Sequence, residues 1–144
     1  MAKQVTIFLE NRPGRMKSIS DILLEKNLNI WAFTIQDRGD FGLMKIIVDK
    51  PDQAQIVLAE RGVACVLKDV LAVIVPDRPG NLEKLTTALL QKNVNIKDAY
   101  GFVCPTGKQG ICYLEVENPA GIDLETVIAE HGFSILNDKE LYDL

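Results

Sequence analysis

The 144 residues carry an ordinary globular share of hydrophobic side chains, 47%, which excludes a disordered chain, and a net charge of −4 without any Lys/Arg cluster, which argues against nucleic acid. No apolar run approaches the roughly 20 residues that span a bilayer, and the N-terminus lacks a signal-peptide pattern, so a soluble cytoplasmic protein with no membrane partner is expected. The three cysteines, Cys65, Cys104 and Cys112, are odd in number and lack Cys-x-x-Cys spacing, so reduced thiols are expected, with Cys65 and Cys112 facing a core and no metal site.

The alternation of Val5, Ile7 and Leu9 predicts a half-buried strand over 5–10. Glu10-Asn11-Arg12-Pro13-Gly14 then turns the chain into a helix that buries Met16, Ile19 and Leu23 and runs to about Lys26. A second strand is expected over 30–36. There Trp31, Phe33 and Ile35 alternate with Ile30 and Ala32, so neither side reads as polar and a partner is expected to cover the helix-free face. Asp37-Arg38-Gly39-Asp40 supplies a turn to a strand over 43–49, making a hairpin. Pro51 opens a second helix with Ala54, Val57 and Leu58 on its buried face, Gly62 stops it, and a short strand over 63–67 follows.

The second half repeats the first. Leu71, Val73 and Val75 predict its opening strand, Pro76-Asp77-Arg78-Pro79-Gly80 its turn, and Leu82, Leu85 and Leu89 its helix. Lys26-Asn27-Leu28-Asn29-Ile30 returns as Lys92-Asn93-Val94-Asn95-Ile96. The hairpin around Pro105-Thr106-Gly107 is longer than its counterpart, and Ala54, Val57, Leu58 and Gly62 return as Leu124, Val127, Ile128 and Gly132. A last strand is expected over 133–141, with the acidic tail 138–144 as its frayed end. Lys68-Asp69 is the expected connector between modules 1–68 and 69–144. The order predicts an α+β protein of two ferredoxin-like βαββαβ modules, each an antiparallel sheet with both helices on one face. The second and fourth strands then lie at open edges, which favours association into a homodimer or larger even assembly.

The phrases Asn11-Arg12-Pro13-Gly14 and Asp77-Arg78-Pro79-Gly80, each followed by a helix and then by Asn-Ile, resemble the ACT domain. The first loop is similar to that of the regulatory domain of phosphoglycerate dehydrogenase. The resemblance implies an allosteric module that binds a free amino acid at an interface between paired modules. By matching position it implies ligand contacts from Asn11, Arg12, Pro13 and Gly14, from Asp77, Arg78, Pro79 and Gly80, and from Asn29 and Asn95 of a neighbouring module. It implies no cofactor and no catalytic residue, and it reads the chain as a stand-alone tandem sensor whose target protein is not written in its own sequence.

The residues themselves suit a zwitterion. Gly14 and Gly80 let a ligand approach the main chain, and the helix behind each offers open N–H groups and the positive end of its dipole. Asn11 both donates and accepts, whereas ionised Asp77 only accepts, so the first loop is expected to bind more tightly. A ligand-free alternative stands beside this one. Pro and Gly make such turns unaided, Asn29 and Asn95 suit left-handed helix termini, and Arg12 and Arg78 suit solvent or a surface carboxylate. His131 aligns with Arg61 at a helix end and suits a dipole-facing role, and Trp31 and Phe33 suit a core or dimer contact. A structural or dimerisation module and a small ferredoxin-like enzyme are the competing functions, the last opposed by the lack of a nucleophile and base in corresponding loops.

Overall fold

The elements follow in the order β1 (Ala2–Glu10), α1 (Arg15–Glu25), β2 (Ile30–Asp37), β3 (Phe41–Val48), α2 (Pro51–Glu60) and β4 (Cys65–Pro76), then α3 (Asn81–Gln91), β5 (Asn95–Cys104), β6 (Gln109–Glu117), α4 (Leu124–Glu130), β7 (Ser134–Leu136) and α5 (Asp138–Tyr142). The computed structural model describes residues 1–104 and 107–142, so the turn expected at Pro105 and Thr106 lies outside the described residues. Lys3–Lys68 form one compact unit, and the chain from Asp69 on, with Met1–Ala2, forms the other.

In the first unit β3 lies between β1 and β2, and both pairings are antiparallel. Phe8 N–H donates to Ala64 O at 2.9 Å, where the chain returns alongside β1. The strand residues Val5, Ile7, Leu9, Met44, Ile46 and Val48 meet Ile19, Leu23, Val57 and Leu58 of the two helices in one buried cluster, so both helices cover the same face. In the second unit β4 pairs with β6 and with β7, and β5 pairs with β6, all antiparallel. Leu71, Val73 and Val75 of β4 meet Leu85 and Leu89 of α3 and Leu124 and Ile128 of α4. The α+β class and the ferredoxin-like order of each half are therefore those expected, and Cys65 and Cys112 pack against the two clusters.

Met16 and Leu82, expected on the buried faces of α1 and α3, are 37% and 58% exposed in the first turns of their helices, and Ile22 and Ala88 are buried instead. Four further differences from the sequence reading have local causes. The left-handed residues that end α1 and α3 are Asn27 and Asn93, with φ of 53° and 55°, not Asn29 and Asn95. Asn27 N–H donates to Leu24 O and Leu28 N–H to Leu23 O, the paired bonds of a Schellman ending, and Asn93 and Val94 repeat them. Gly62 and Gly132 end α2 and α4 in the same way.

Beyond Phe133 the chain makes a strand of only three residues, Ser134–Leu136, and then a helix instead of a frayed strand end. Asn137 Oδ1 accepts from Glu140 N–H at 2.9 Å while Glu140 Oε2 accepts from Asn137 N–H at 3.1 Å, a reciprocal capping box, and Leu141 is fully buried.

The connector expected at Lys68-Asp69 falls at the boundary between the two units, but as part of a strand and not as a separate linker. Neither residue breaks the extended backbone, no Gly or Pro occurs between Cys65 and Val75, and β4 runs unbroken through both.

The fourth difference concerns β2. Phe33 pairs with Ile46 and Ile35 with Met44, so these two side chains stand on the helix-covered face, near its rim, and the exposed apolar surface they make is not on the helix-free face. The bulge between Ile30 and Ala32 shifts the alternation and places Ala32, Thr34 and Gln36 on the other side.

Candidate ligand site

Each Arg-Pro-Gly turn carries its strand into a helix through a left-handed glycine, Gly14 with φ of 86° and Gly80 with φ of 88°. A side chain bearing a Cβ is strained at such angles, which accounts for glycine at the N-cap of both α1 and α3. Glycine has no side chain with which to cap, and neither helix receives a side-chain cap from that position. α4, by contrast, is capped by Asp123, which accepts from Thr126 N–H and from Thr126 Oγ1 at 2.6 Å; these bonds hold its carboxyl below the usual range. Among the described residues, the N–H groups of Leu82 and Glu83 in the first turn of α3 have no backbone acceptor.

The two turns have different surroundings. In the second unit the turn borders a cavity of about 440 Å³ whose walls include Val75, Asn81, Ala99, Gly101, Cys112 and Leu114, with Asp77 and Arg78 at its rim. That volume lies in the roughly 300–1,000 Å³ range of small-molecule sites. The turn is held from two sides. Asn81 Nδ2 donates to Pro76 O at 2.8 Å, and Asp77 N–H donates to Lys108 O at 2.8 Å, leaving the Asp77 carboxylate outside both bonds. Burial pushes the Cys112 thiol pKa up, so this wall of the cavity stays uncharged.

In the first unit the corresponding cavity is about 220 Å³, bordered by Asn11, Arg12, Gly14, Arg15 and Ile35. The Asn11 amide is engaged, donating to Asp37 Oδ1 at 3.0 Å and to Gly39 O at 2.8 Å. Asp37 Oδ1 also accepts from Gly39 N–H, so Asn11 closes the β2–β3 turn against its own loop. Arg12 pairs with Glu10 at 3.2 Å across open surface.

The sequence-derived residues fall into two groups. Asn11, Arg12 and Gly14 gather at one cavity, Asp77 and Arg78 at the other, and Pro13, Pro79 and Gly80 shape the turns beside them. Asn29 and Asn95 sit elsewhere. Asn29 N–H donates to Asp49 Oδ1 at 3.0 Å and its carbonyl accepts from Asp49 N–H at 3.1 Å, Asn95 Nδ2 donates to Glu117 Oε2 at 3.3 Å, and each lies at the opposite end of its strand from the turn, on the order of 20 Å away at about 3.3 Å per residue. His131 is the C-cap of α4 with Nδ1 against Val127 O at 2.7 Å, and Trp31 is not among the residues bordering the first cavity. Sequence reasoning missed Asn81, Ala99 and Gly101. Aligning the repeats strand by strand exposes the last two, because Ala99 and Gly101 replace Phe33 and Ile35. No group of three or more His, Cys, Asp and Glu suited to a metal occurs among the described residues.

Comparison with known proteins gives the family. A family model described as an ACT domain pair matches residues 1–144. The crystal structure of a protein from Bacteroides thetaiotaomicron is 31% identical, with a TM-score of 0.89 over 99% of this chain and 96% of that one. The ligand-free regulatory subunit of aspartate kinase from Thermus thermophilus is similar in fold, with a TM-score of 0.66 at 17% identity over 90% and 92% of the two chains. The aspartokinase α and β subunits share the fold at a TM-score of 0.59 and 16% identity, over 91% and 97%. No curated protein matches the sequence.

Proposed function

The chain belongs to the family of ACT domain pairs, and from that premise we propose a stand-alone regulatory protein of two modules, 1–68 and 69–144, that binds a free amino acid beside its Arg-Pro-Gly turns and does no catalysis itself. The observation that carries this reading is the cavity of about 440 Å³ that meets an uncapped helix start and a free carboxylate at one turn. A zwitterion has the complementary layout. Its ammonium faces Asp77, its carboxylate takes the open N–H groups at the start of α3 with Arg78 alongside, and its side chain enters the cavity. Asn29 and Asn95, remote from the turns of their own strands, act on the ligand of a neighbouring module. Ligand-dependent packing of the modules then passes the signal to a target protein in the cytoplasm. No helix among the described residues is long and apolar enough to cross a membrane.

A thermal-shift screen against the free amino acids tests this reading. A true ligand at about 100 times its Kd adds roughly 2.7 kcal/mol of stability. Asp77→Ala should then reduce binding by roughly 1–3 kcal/mol, the usual loss when a charged hydrogen-bond partner is removed. A screen in which no amino acid moves the midpoint counts against the reading and in favour of a purely structural module.

The assembly we propose is a homodimer or larger even oligomer. Its support is the pair Phe33 and Ile35, 56% and 46% exposed on edge strand β2, where an unpaired backbone invites a second copy. Light scattering at micromolar protein should give at least twice the chain mass of 16.0 kDa, and Phe33→Glu with Ile35→Glu should shift it toward the monomer. A wild-type monomer refutes the assembly.

A further inference from the structure

The two turns are copies of one phrase, yet the cavity beside the second, about 440 Å³, is twice the 220 Å³ of that beside the first, and of the two it is the one that reaches the usual range of small-molecule sites. The cause lies on the strand opposite each turn. Through β3, Phe33 and Ile35 stand opposite Ile46 and Met44; through β6, Ala99 and Gly101 stand opposite Leu114 and Cys112. These are equivalent places in the two sheets, since Val5 and Ile7 pair with Ile46 and Met44 as Leu71 and Val73 pair with Leu114 and Cys112. The first unit therefore carries two large side chains where the second carries a methyl group and a hydrogen. Arg15, a longer side chain, also stands where the second unit has Asn81, and each borders its own cavity.

The polar groups differ in the same sense. Both amide hydrogens of Asn11 are taken by its own hairpin, whereas Asp77, whose carboxylate takes no such bond among the described residues, borders the cavity with Arg78. Apart from Asp77, Arg78, Asn81, Tyr100 and the weakly polar Cys112, the side chains bordering the cavity, among them Val75, Ala99, Phe102 and Leu114, offer nothing to pair with a polar or charged side chain, and Asn81 Nδ2 is already bonded to Pro76 O.

We propose that the second module alone senses, that its ligand is an α-amino acid with an apolar side chain, and that Ala99 and Gly101 are the residues that set this selectivity. This rests on the amino-acid reading above and sharpens it: Asp77 and the start of α3 fix the charged end, and the apolar floor chooses among side chains. A polar side chain there would exchange water for a mostly apolar surface with few partners, and it is rejected for that reason.

Titration calorimetry on the full chain tests the proposal, using leucine, isoleucine, valine, methionine and phenylalanine against serine, aspartate, lysine and glycine. The expected result is one site per chain that takes members of the apolar set and none of the polar set. Ala99→Phe, which puts into the second module the side chain the first has, should weaken binding on the order of tenfold or more. Ala99 is exposed, so the variant should keep the wild-type circular dichroism and melting curve. Preference for a polar amino acid, two equal sites per chain, or normal affinity in folded Ala99→Phe overturns this inference while leaving an amino-acid sensor in place. If no amino acid of either set binds the wild-type chain, the sensor reading fails and takes this inference with it.

Discussion

Leu89→Ala should lower the unfolding free energy of the second unit by about 2–5 kcal/mol, read from the urea midpoint with the slope held in common. Leu89 is fully buried between α3 and the sheet, in the cluster with Leu71, Val73, Leu85 and Leu114. Truncation removes the transfer free energy of its terminal carbons and leaves a void lined by neighbours that strand pairing holds in place. Its carbonyl also accepts from Val94 N–H in the Schellman ending, so the helix terminus is fixed at the same residue and is poorly able to collapse into the gap. The adjacent Leu90 is 74% exposed, and Leu90→Ala should stay within about 0.5 kcal/mol of wild type. Equal losses at the two positions would mean that α3 does not pack as described.

Gly101→Val should cost about 3 kcal/mol, at the upper end for overpacking, and should loosen β5 from β6. A Cβ at Gly101 would stand 2.7 Å from Ile111 O and 3.3 Å from Cys112 Sγ. The first contact is with backbone, so no rotamer change relieves it, and the strands must separate at the Gly101–Cys112 pair. Because β5 is an edge strand it has no second neighbour to hold it in register, and amide exchange should speed up from Tyr100 to Val103. Ala99→Val, also on β5 and on the same face, provides the control. A branched residue suits an exposed strand position, and this change should move stability by no more than about 0.5 kcal/mol. A Gly101→Val protein as stable as the wild type would show that the close strand approach is not a constraint.

Much of this chain could be read locally. The Arg-Pro-Gly phrases, the core positions Ile19 and Leu23 of α1 and Leu85 and Leu89 of α3, and the stop at Gly62 follow from residues within one or two turns of each other, whereas Met16 and Leu82, also expected inside, are exposed; the repetition revealed two copies of one fold. The short-range chemistry that ends the chain was equally present in the sequence, because Asn137 and Glu140 have the spacing of a capping box. The same holds for the helix endings, where Asn27 and Asn93 follow the last helical turn directly and Asn29 and Asn95 come too late.

What the sequence could not determine depends on register. Hydrophobic alternation along β2 marks two faces but does not say which one the helices cover, and a bulge at Ile30–Ala32 exchanges them; only the pairing with β3 puts Phe33 and Ile35 on the helix side. The inventory of side-chain donors made Asn11 the better ligand group, yet the turn between β2 and β3 folds back and takes both of its amide hydrogens. The difference between the two cavities arises in the same way. Ala99 and Gly101 look unremarkable on an edge strand until β6 sets them opposite Leu114 and Cys112, beside the start of α3, where the space left by two small residues becomes a volume that a ligand can enter. Local sequence determined the elements and their turns because those depend on neighbours along the chain, and tertiary structure decided where the space is because that depends on neighbours across the sheet.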